Sequence, residues 1–218
     1  MKLSEKTIAV LKSFSMINQS IKITPGSTLS TMHPQKTLLA KAEIDDTFDR
    51  SFCIYELPRF LGTLSLFKDP EIELRDSDMV ISSGRQKVIY RFCDQSLIVA
   101  APEKDLAFPA ADVTFEIEEA NLASVIKATG ILQLPELAIV GEDGKLYARA
   151  VNTKDVGSDS FNIELGDTDK TFTAVFKPEY ITRLINGKYK VEISSKKISR
   201  WTGNDVGYFI ATEANSSF

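Results

Sequence analysis

The stretch Leu57-Pro58-Arg59-Phe60-Leu61-Gly62-Thr63-Leu64-Ser65-Leu66 predicts a short helix. Pro58 suits a first helical turn, where its missing N–H is no loss, and Leu57, Phe60, Leu61 and Leu64 fall on one stripe. A similar opening, Lys177-Pro178-Glu179-Tyr180-Ile181, recurs late in the chain and predicts a helix over 177–185 that ends at Asn186-Gly187. Two further helices follow from the same periodicity. One spans 4–17, capped by Ser4, with Leu3, Thr7, Val10, Leu11, Phe14 and Ile17 on its buried face. The other spans 119–129, with Leu122, Val125 and Ile126 inward and Gly130 as its stop. The helices thus recur about every 50 to 60 residues, which is an internal repeat.

Between them the pattern is that of strands. Runs at 20–24, 28–32, 37–44, 51–55, 71–75, 79–83 and 87–92 fall before residue 100, and runs at 112–117, 136–140, 145–151, 160–165, 171–176, 188–194, 198–203 and 208–212 fall after residue 110. Pro25-Gly26 and Gly141-Glu142-Asp143-Gly144 read as turns. The segment from Ala100 to Pro109 has two prolines, several charges and no periodicity, so it reads as a linker. The expectation is an α+β chain of two similar domains, each of antiparallel sheets with two helices. The boundaries are 1–100 for the first domain, 101–110 for the linker and 111–218 for the second domain.

The chain has 218 residues, 43% of them hydrophobic, enough to bury a core in each of two domains. It carries no apolar run of spanning length and no signal-like start, so a soluble, intracellular protein is expected. Cys53 and Cys93 lie in apolar strand patterns and are read as core thiols rather than a disulfide. Net charge is −4. That excludes a surface basic all over but not a local basic face.

Catalytic chemistry is sparse. His33 is the one histidine, in a predicted turn, so a histidine triad or multi-histidine metal site has little to build on. No phosphate-cradling glycine motif is present. The cluster Asp45, Asp46 and Asp49 offers an enzymatic alternative, a hard-cation site, but without a ligand pattern it reads as a solvated turn. Gly166-Asp167-Thr168-Asp169-Lys170 reads the same way. No catalytic residue, metal or cofactor is assigned. What remains is a set of cations on the predicted helices: Lys6 and Lys12, Arg59, Lys127, and Lys177 and Arg183. They would form one positive surface if the helices shared a face.

Several blocks carry a family resemblance: Met1-Lys2-Leu3-Ser4, Ile54-Tyr55-Glu56-Leu57 with Phe60 to Leu66, Phe108-Pro109, Leu165-Gly166-Asp167, Gly187-Lys188-Tyr189-Lys190, and Ala211-Thr212-Glu213-Ala214. They span the chain in order, and in them it resembles the sliding clamps, or DNA polymerase processivity factors, of T-even-type bacteriophages. The resemblance implies a homotrimeric ring around duplex DNA, with helices lining the hole and sheets forming the wall. It places Lys6, Lys12, Arg59, Lys127 and Arg183 as contacts to the DNA backbone that read no sequence.

It further implies closure between an edge with Ile89, Tyr90, Arg91 and Phe92 and an edge with Phe161, Ile163 and Leu165. A pocket for the C-terminal peptide of the DNA polymerase would be lined by Leu106, Phe108, Pro109, Val140, Tyr208 and Phe209. The implied partners are the polymerase, an ATP-driven clamp loader and late-transcription factors, in the cytoplasm of an infected bacterium, with no membrane. The alternative from the residues alone is a monomeric β-rich module that binds a peptide or small ligand.

Overall fold

The computed structural model describes residues 1–155 and 157–218, and the chain divides into two compact units, Met1–Asp105 and Leu106–Phe218. In the first unit, helix α1 (Glu5–Ser15) is followed by strands β1 (Ile21–Ile23), β2 (Gly26–Met32), β3 (Leu38–Phe48) and β4 (Phe52–Ile54). Helix α2 (Leu57–Leu64) and strands β5 (Glu71–Leu74), β6 (Asp78–Ser83) and β7 (Gln86–Arg91) complete it. β1 pairs with β4, β2 with β3, and β5-β6-β7 form a meander, all antiparallel. α1 packs against β3 and α2.

The helix stripe behaves as its spacing dictates. Thr7, Val10, Leu11 and Phe14 are buried, and the Thr7 N–H donates to the Ser4 hydroxyl at 3.1 Å, so Ser4 caps α1. Asp45 and Asp46 are not in a turn, as the acidic cluster suggested. Both lie in β3, whose register alternates through Ile44 and Phe48 inward, and only Asp49 lies beyond it. The Asp46 carboxylate accepts the Ser4 N–H at 2.8 Å, which anchors the start of α1 to the sheet.

The second unit begins with β8 (Val113–Ile117) and α3 (Glu119–Ile131), then β9 (Glu136–Glu142), β10 (Lys145–Val151), β11 (Phe161–Asp167) and β12 (Phe172–Phe176). A single helical turn, α4 (Pro178–Ile181), precedes β13 (Tyr189–Ser194), β14 (Ile198–Thr202) and β15 (Val206–Ala211). One sheet runs β11-β10-β9-β12; in the other, the strands are bonded in the order β15-β14-β13-β8. α3 packs on β9, β10 and β11. The β9–β10 hairpin turns through Asp143 and Gly144, both at positive φ (50° and 79°), a conformation glycine adopts without cost.

Three sequence expectations change here. Gly130 does not stop α3: the helix runs through it, and Gln133 at φ 52° makes the turn. Gly166 and Asp167 belong to β11, where a bulge opposite Leu146 and Tyr147 leaves Leu165 unpaired; only 168–171 form the connection. α4 ends at Ile181 instead of reaching 185. The Ile185 N–H donates to the Tyr208 hydroxyl at 3.0 Å and its carbonyl accepts from the Tyr189 hydroxyl, so two core tyrosines hold that peptide out of helical geometry. Trp201, fully buried, donates its indole N–H to Ser199 Oγ at 2.9 Å and packs edge-on against Phe176 and Tyr189.

Candidate functional site

The helix cations sort into spent and unspent. Lys6 Nζ lies 3.4 Å from Asp45, and Arg59 pairs with Glu56 at 3.2 Å, one helical turn away. Both pairs are open to solvent and weak. Arg183, expected on a helix face, lies in the turn after α4 and is half-buried, its guanidinium 6.0 Å from the centre of the Tyr180 ring. Lys177 sits over the same ring at 5.9 Å. Lys12 on α1 and Lys127 on α3 are exposed and make no ion pair among the described residues.

The two expected closing edges are edge strands of their own sheets: β7 borders β6 alone, and β11 borders β10 alone. On β7, Ile89 is 52% exposed. Tyr90 turns back to α2, its hydroxyl donating to the Glu56 carbonyl at 3.2 Å and its ring edge-on to Phe60. Arg91 reaches Asp78 at 3.0 Å. Phe92 lies past the strand end and stacks on Phe52, with ring centres 4.7 Å apart, so it is committed within the unit. Phe161, Ile163 and Leu165 on β11 are half-buried.

The expected peptide pocket is only partly brought together. Val140 packs in the core with Ala138 and Val175, and Tyr208 is fully buried against Tyr189. Neither has surface to offer a ligand, because the face of β9 that carries Val140 is covered, a fact that alternation along a strand buried on both faces does not reveal. Leu106 is exposed, Pro109 is half-buried, and Phe108 and Phe209 meet with ring centres 6.1 Å apart. Sequence reasoning missed Arg200. It lies directly opposite Phe209 across β14–β15, holds its guanidinium 4.9 Å over the Phe108 ring, and is fixed by Glu192 at 2.7 Å. The available signal was an arginine at the outward position of the alternating run Ile198-Ser199-Arg200-Trp201.

Groups suited to catalysis are occupied otherwise. Partial burial pushes the Asp46 carboxyl up, but the Thr7 hydroxyl and the Ser4 N–H outweigh it and hold the group below its ordinary value. Cys53 and Cys93 are both free thiols raised by burial, hence poor nucleophiles. His33 Nδ1 accepts from the Gln35 N–H at 3.3 Å within its own turn. Among the described residues no cluster of three metal-ligating side chains occurs, and no helix is long and apolar enough to cross a membrane.

The fold is shared with DNA clamps of known structure. Superposition on PCNA from Thermococcus kodakaraensis gives a TM-score of 0.68 at 11% identity, covering 94% of this chain and 95% of that one. Superposition on A. fulgidus PCNA bound to the C-terminal region of FEN-1 gives 0.68 at 12% identity, covering 96% of each. Sequence narrows the class. Residues 2–100 match the family described as DNA polymerase processivity factor, and residues 114–214 match that described as gp45 sliding clamp, C terminal. The chain is 33% identical over 222 residues to the sliding clamp of Vibrio phage KVP40, covering 98% of this chain and 100% of that protein. It is 33% identical to that of Escherichia phage RB69 and 31% identical to that of Enterobacteria phage T4, each over 100% of this chain and 99% of the relative. The chain therefore belongs to the phage sliding clamp family of DNA polymerase processivity factors.

Proposed function

We propose that three copies of the chain close head to tail into a ring around duplex DNA, and that the ring holds the replicative polymerase on its template by topology, without catalysis of its own. The observation that carries this reading is kinship along the whole chain to phage sliding clamps. Two features of the structure support it: open edge strands on the first and second units, and exposed Lys12 and Lys127 on helices of each. The lysines attract the DNA backbone without reading bases. With only a few screened charges per chain, no position along the duplex is deep enough to stop sliding.

The polymerase docks a C-terminal peptide on the apolar surface around Leu106, Phe108, Pro109 and Phe209, where Arg200 pairs with a carboxylate or stacks on an aromatic ring. A separate ATP-driven loader opens the ring, in the cytoplasm of the infected bacterium. The test has two parts. Light scattering at micromolar concentration gives about three times the chain mass of 24.2 kDa. After loading, the ring stays on nicked circular DNA through a high-salt wash and is lost when the circle is cut. A monomer at every concentration refutes the ring, and equal loss from circular and linear DNA refutes the topological hold.

A further inference from the structure

Each open edge belongs to a sheet whose opposite edge is covered by an end of the chain. In the first unit the meander has β7 at one margin and β5 at the other. Met1 lies against β5: its α-ammonium donates to the Ile72 carbonyl at 2.7 Å, and its own carbonyl accepts the Ile72 N–H at 2.7 Å. In the second unit the sheet has β11 at one margin and β12 at the other, and residues 213–217 lie along β12. Thr173 exchanges both backbone bonds with Ser217 at 2.9 Å. The Val175 carbonyl accepts the Glu213 N–H at 2.8 Å, and the Val175 N–H donates to Ser216 Oγ at 2.9 Å. Backbone groups alternate sides along a paired strand, so Thr173 and Val175 carry the polar groups of β12 that point away from β9. The tail takes all four.

The length of cover follows the need for it. Charged side chains on an edge strand oppose unwanted pairing, and β5, β7 and β11 each have them: Glu71 and Glu73, Lys87 and Arg91, Glu164 and Asp167. β12 is Phe172-Thr173-Ala174-Val175-Phe176, with no charge, no proline and residues that favour strands throughout. It has no protection of its own, and it receives the longer cover. That cover is held mostly by polar contacts. Asn215 Nδ2 donates to Glu136 Oε1 at 3.0 Å and to Thr153 Oγ1 at 2.8 Å, and Lys197 Nζ donates to the Ala214 carbonyl at 2.6 Å. Phe218 stacks on Phe172 with ring centres 6.0 Å apart and stays exposed.

We infer that the C-terminal segment 213–218 is an edge guard: it fills the pairing groups of β12, so that no strand of another copy can add there and β11 is left as the joining edge of its sheet. The consequence for assembly rests on the ring proposed above; the blocking of β12 does not. A head-to-tail ring closes when each copy offers one edge of each kind. A second receptive edge would let copies add without closing, as an open and growing chain.

Ending the chain at Asn215 tests this. The truncation removes three of the four bonds to β12 and the Phe218 stack, and it keeps the Glu213 and Asn215 contacts. Light scattering gives the mass over a range of concentration, and hydrogen exchange read by mass spectrometry follows the segment 172–176. In dilute solution the Thr173 and Val175 amides of the truncated chain exchange about tenfold faster than in the wild type. As concentration rises, the mass grows past that of the wild type and the same amides become protected again, by the strand that has added. A truncated chain that keeps the wild-type mass at every concentration overturns the guard. Growth in mass with those amides still fast overturns it too, because the added copies then sit elsewhere. If the truncated chain loses the wild-type circular dichroism, Ser217→Pro in the full-length chain decides by the same two readouts, since it removes the N–H that the Thr173 carbonyl accepts. A wild-type chain that is monomeric at every concentration sinks the ring alone, and growth of the truncated chain through β12 then still upholds the guard.

Discussion

Replacing Asp46 by Asn keeps the shape of the side chain but removes the charge that fixes the first turn of α1. In the structure Asp46 Oδ2 accepts the Ser4 N–H at 2.8 Å and the Asp46 carboxylate also accepts a bond from the Thr7 side chain, while the Ser4 hydroxyl caps the Thr7 N–H at 3.1 Å. A hydrogen bond to a charged group contributes about 1.5 to 3 kcal/mol. Asp46 is half-buried, so water compensates part of the loss, and the amide of Asn can still accept one bond. The expected cost is about 1 to 2 kcal/mol. With a urea slope of about 1 to 3 kcal/mol per molar, the unfolding midpoint followed by far-ultraviolet circular dichroism falls by about 0.3 to 2 M. The fluorescence of Trp201, the sole tryptophan and a residue of the second unit, follows that unit separately.

The pH dependence supplies the sharper check. The folded Asp46 carboxyl sits below its ordinary value of 3.8. Its contribution is therefore complete above about pH 4 and is lost as pH falls through the folded value. The gap between wild type and Asp46→Asn should be full near pH 7 and should narrow steadily below about pH 4. A gap of the same size at about pH 3 and about pH 7 would refute the charge-assisted anchor. A metal-dependent activity lost in the variant at unchanged stability would revive the acidic cluster as a catalytic site.

Lys12→Glu with Lys127→Glu should shorten retention of the loaded ring on DNA in a salt-dependent way at unchanged circular dichroism. With about six such lysines in a trimer, the slope of log affinity against log salt falls by at most about 5. An unchanged slope removes these residues from the DNA-facing surface. Gly141→Ala should cost about 2 to 3 kcal/mol, because its Cβ would overlap the Lys170 carbonyl oxygen and come within 2.7 Å of Phe172 Cε1. Urea titration with Trp201 fluorescence measures it, and a wild-type midpoint would contradict the packing. Phe209→Ala should weaken binding of a polymerase C-terminal peptide about tenfold or more, as loss of an aromatic anchor does, measured by fluorescence anisotropy. Undiminished binding would move the docking surface elsewhere.

What was legible in the sequence were features set by nearby residues. The α1 stripe and its Ser4 cap follow from spacing alone, and β10 has the bounds its alternation gives, Lys145 to Val151. Where distant groups decide, local reading fails. α4 stops early because Tyr189 and Tyr208 clasp the Ile185 peptide, and nothing within 177–185 announces tyrosines from β13 and β15. Three aspartates within five residues look like a solvated turn until the partner of Asp46 is seen to be a helix start some 40 residues earlier in the chain, at Ser4. Val140 and Tyr208 looked available for a pocket because a hydrophobic strand residue carries no mark of which neighbour covers it.

The same contrast bears on how an acidic chain can surround DNA. The sequence offers a cation on each predicted helix, and a simple count suggests a strongly positive lining. The structure spends several of them: Asp45 answers Lys6, Glu56 answers Arg59, and Tyr180 takes Arg183. Lys12 and Lys127 remain exposed on long side chains that can follow a phosphate as it moves. For a protein that gripped one DNA site this would be a weak design. For the proposed ring it is an advantage. Each added fixed cation deepens the well at one rotational and translational setting of the duplex, while topology already prevents escape. A lining with few mobile charges keeps attraction long enough in range to centre the DNA, on the scale of the roughly 8 Å screening length, and too shallow to halt it.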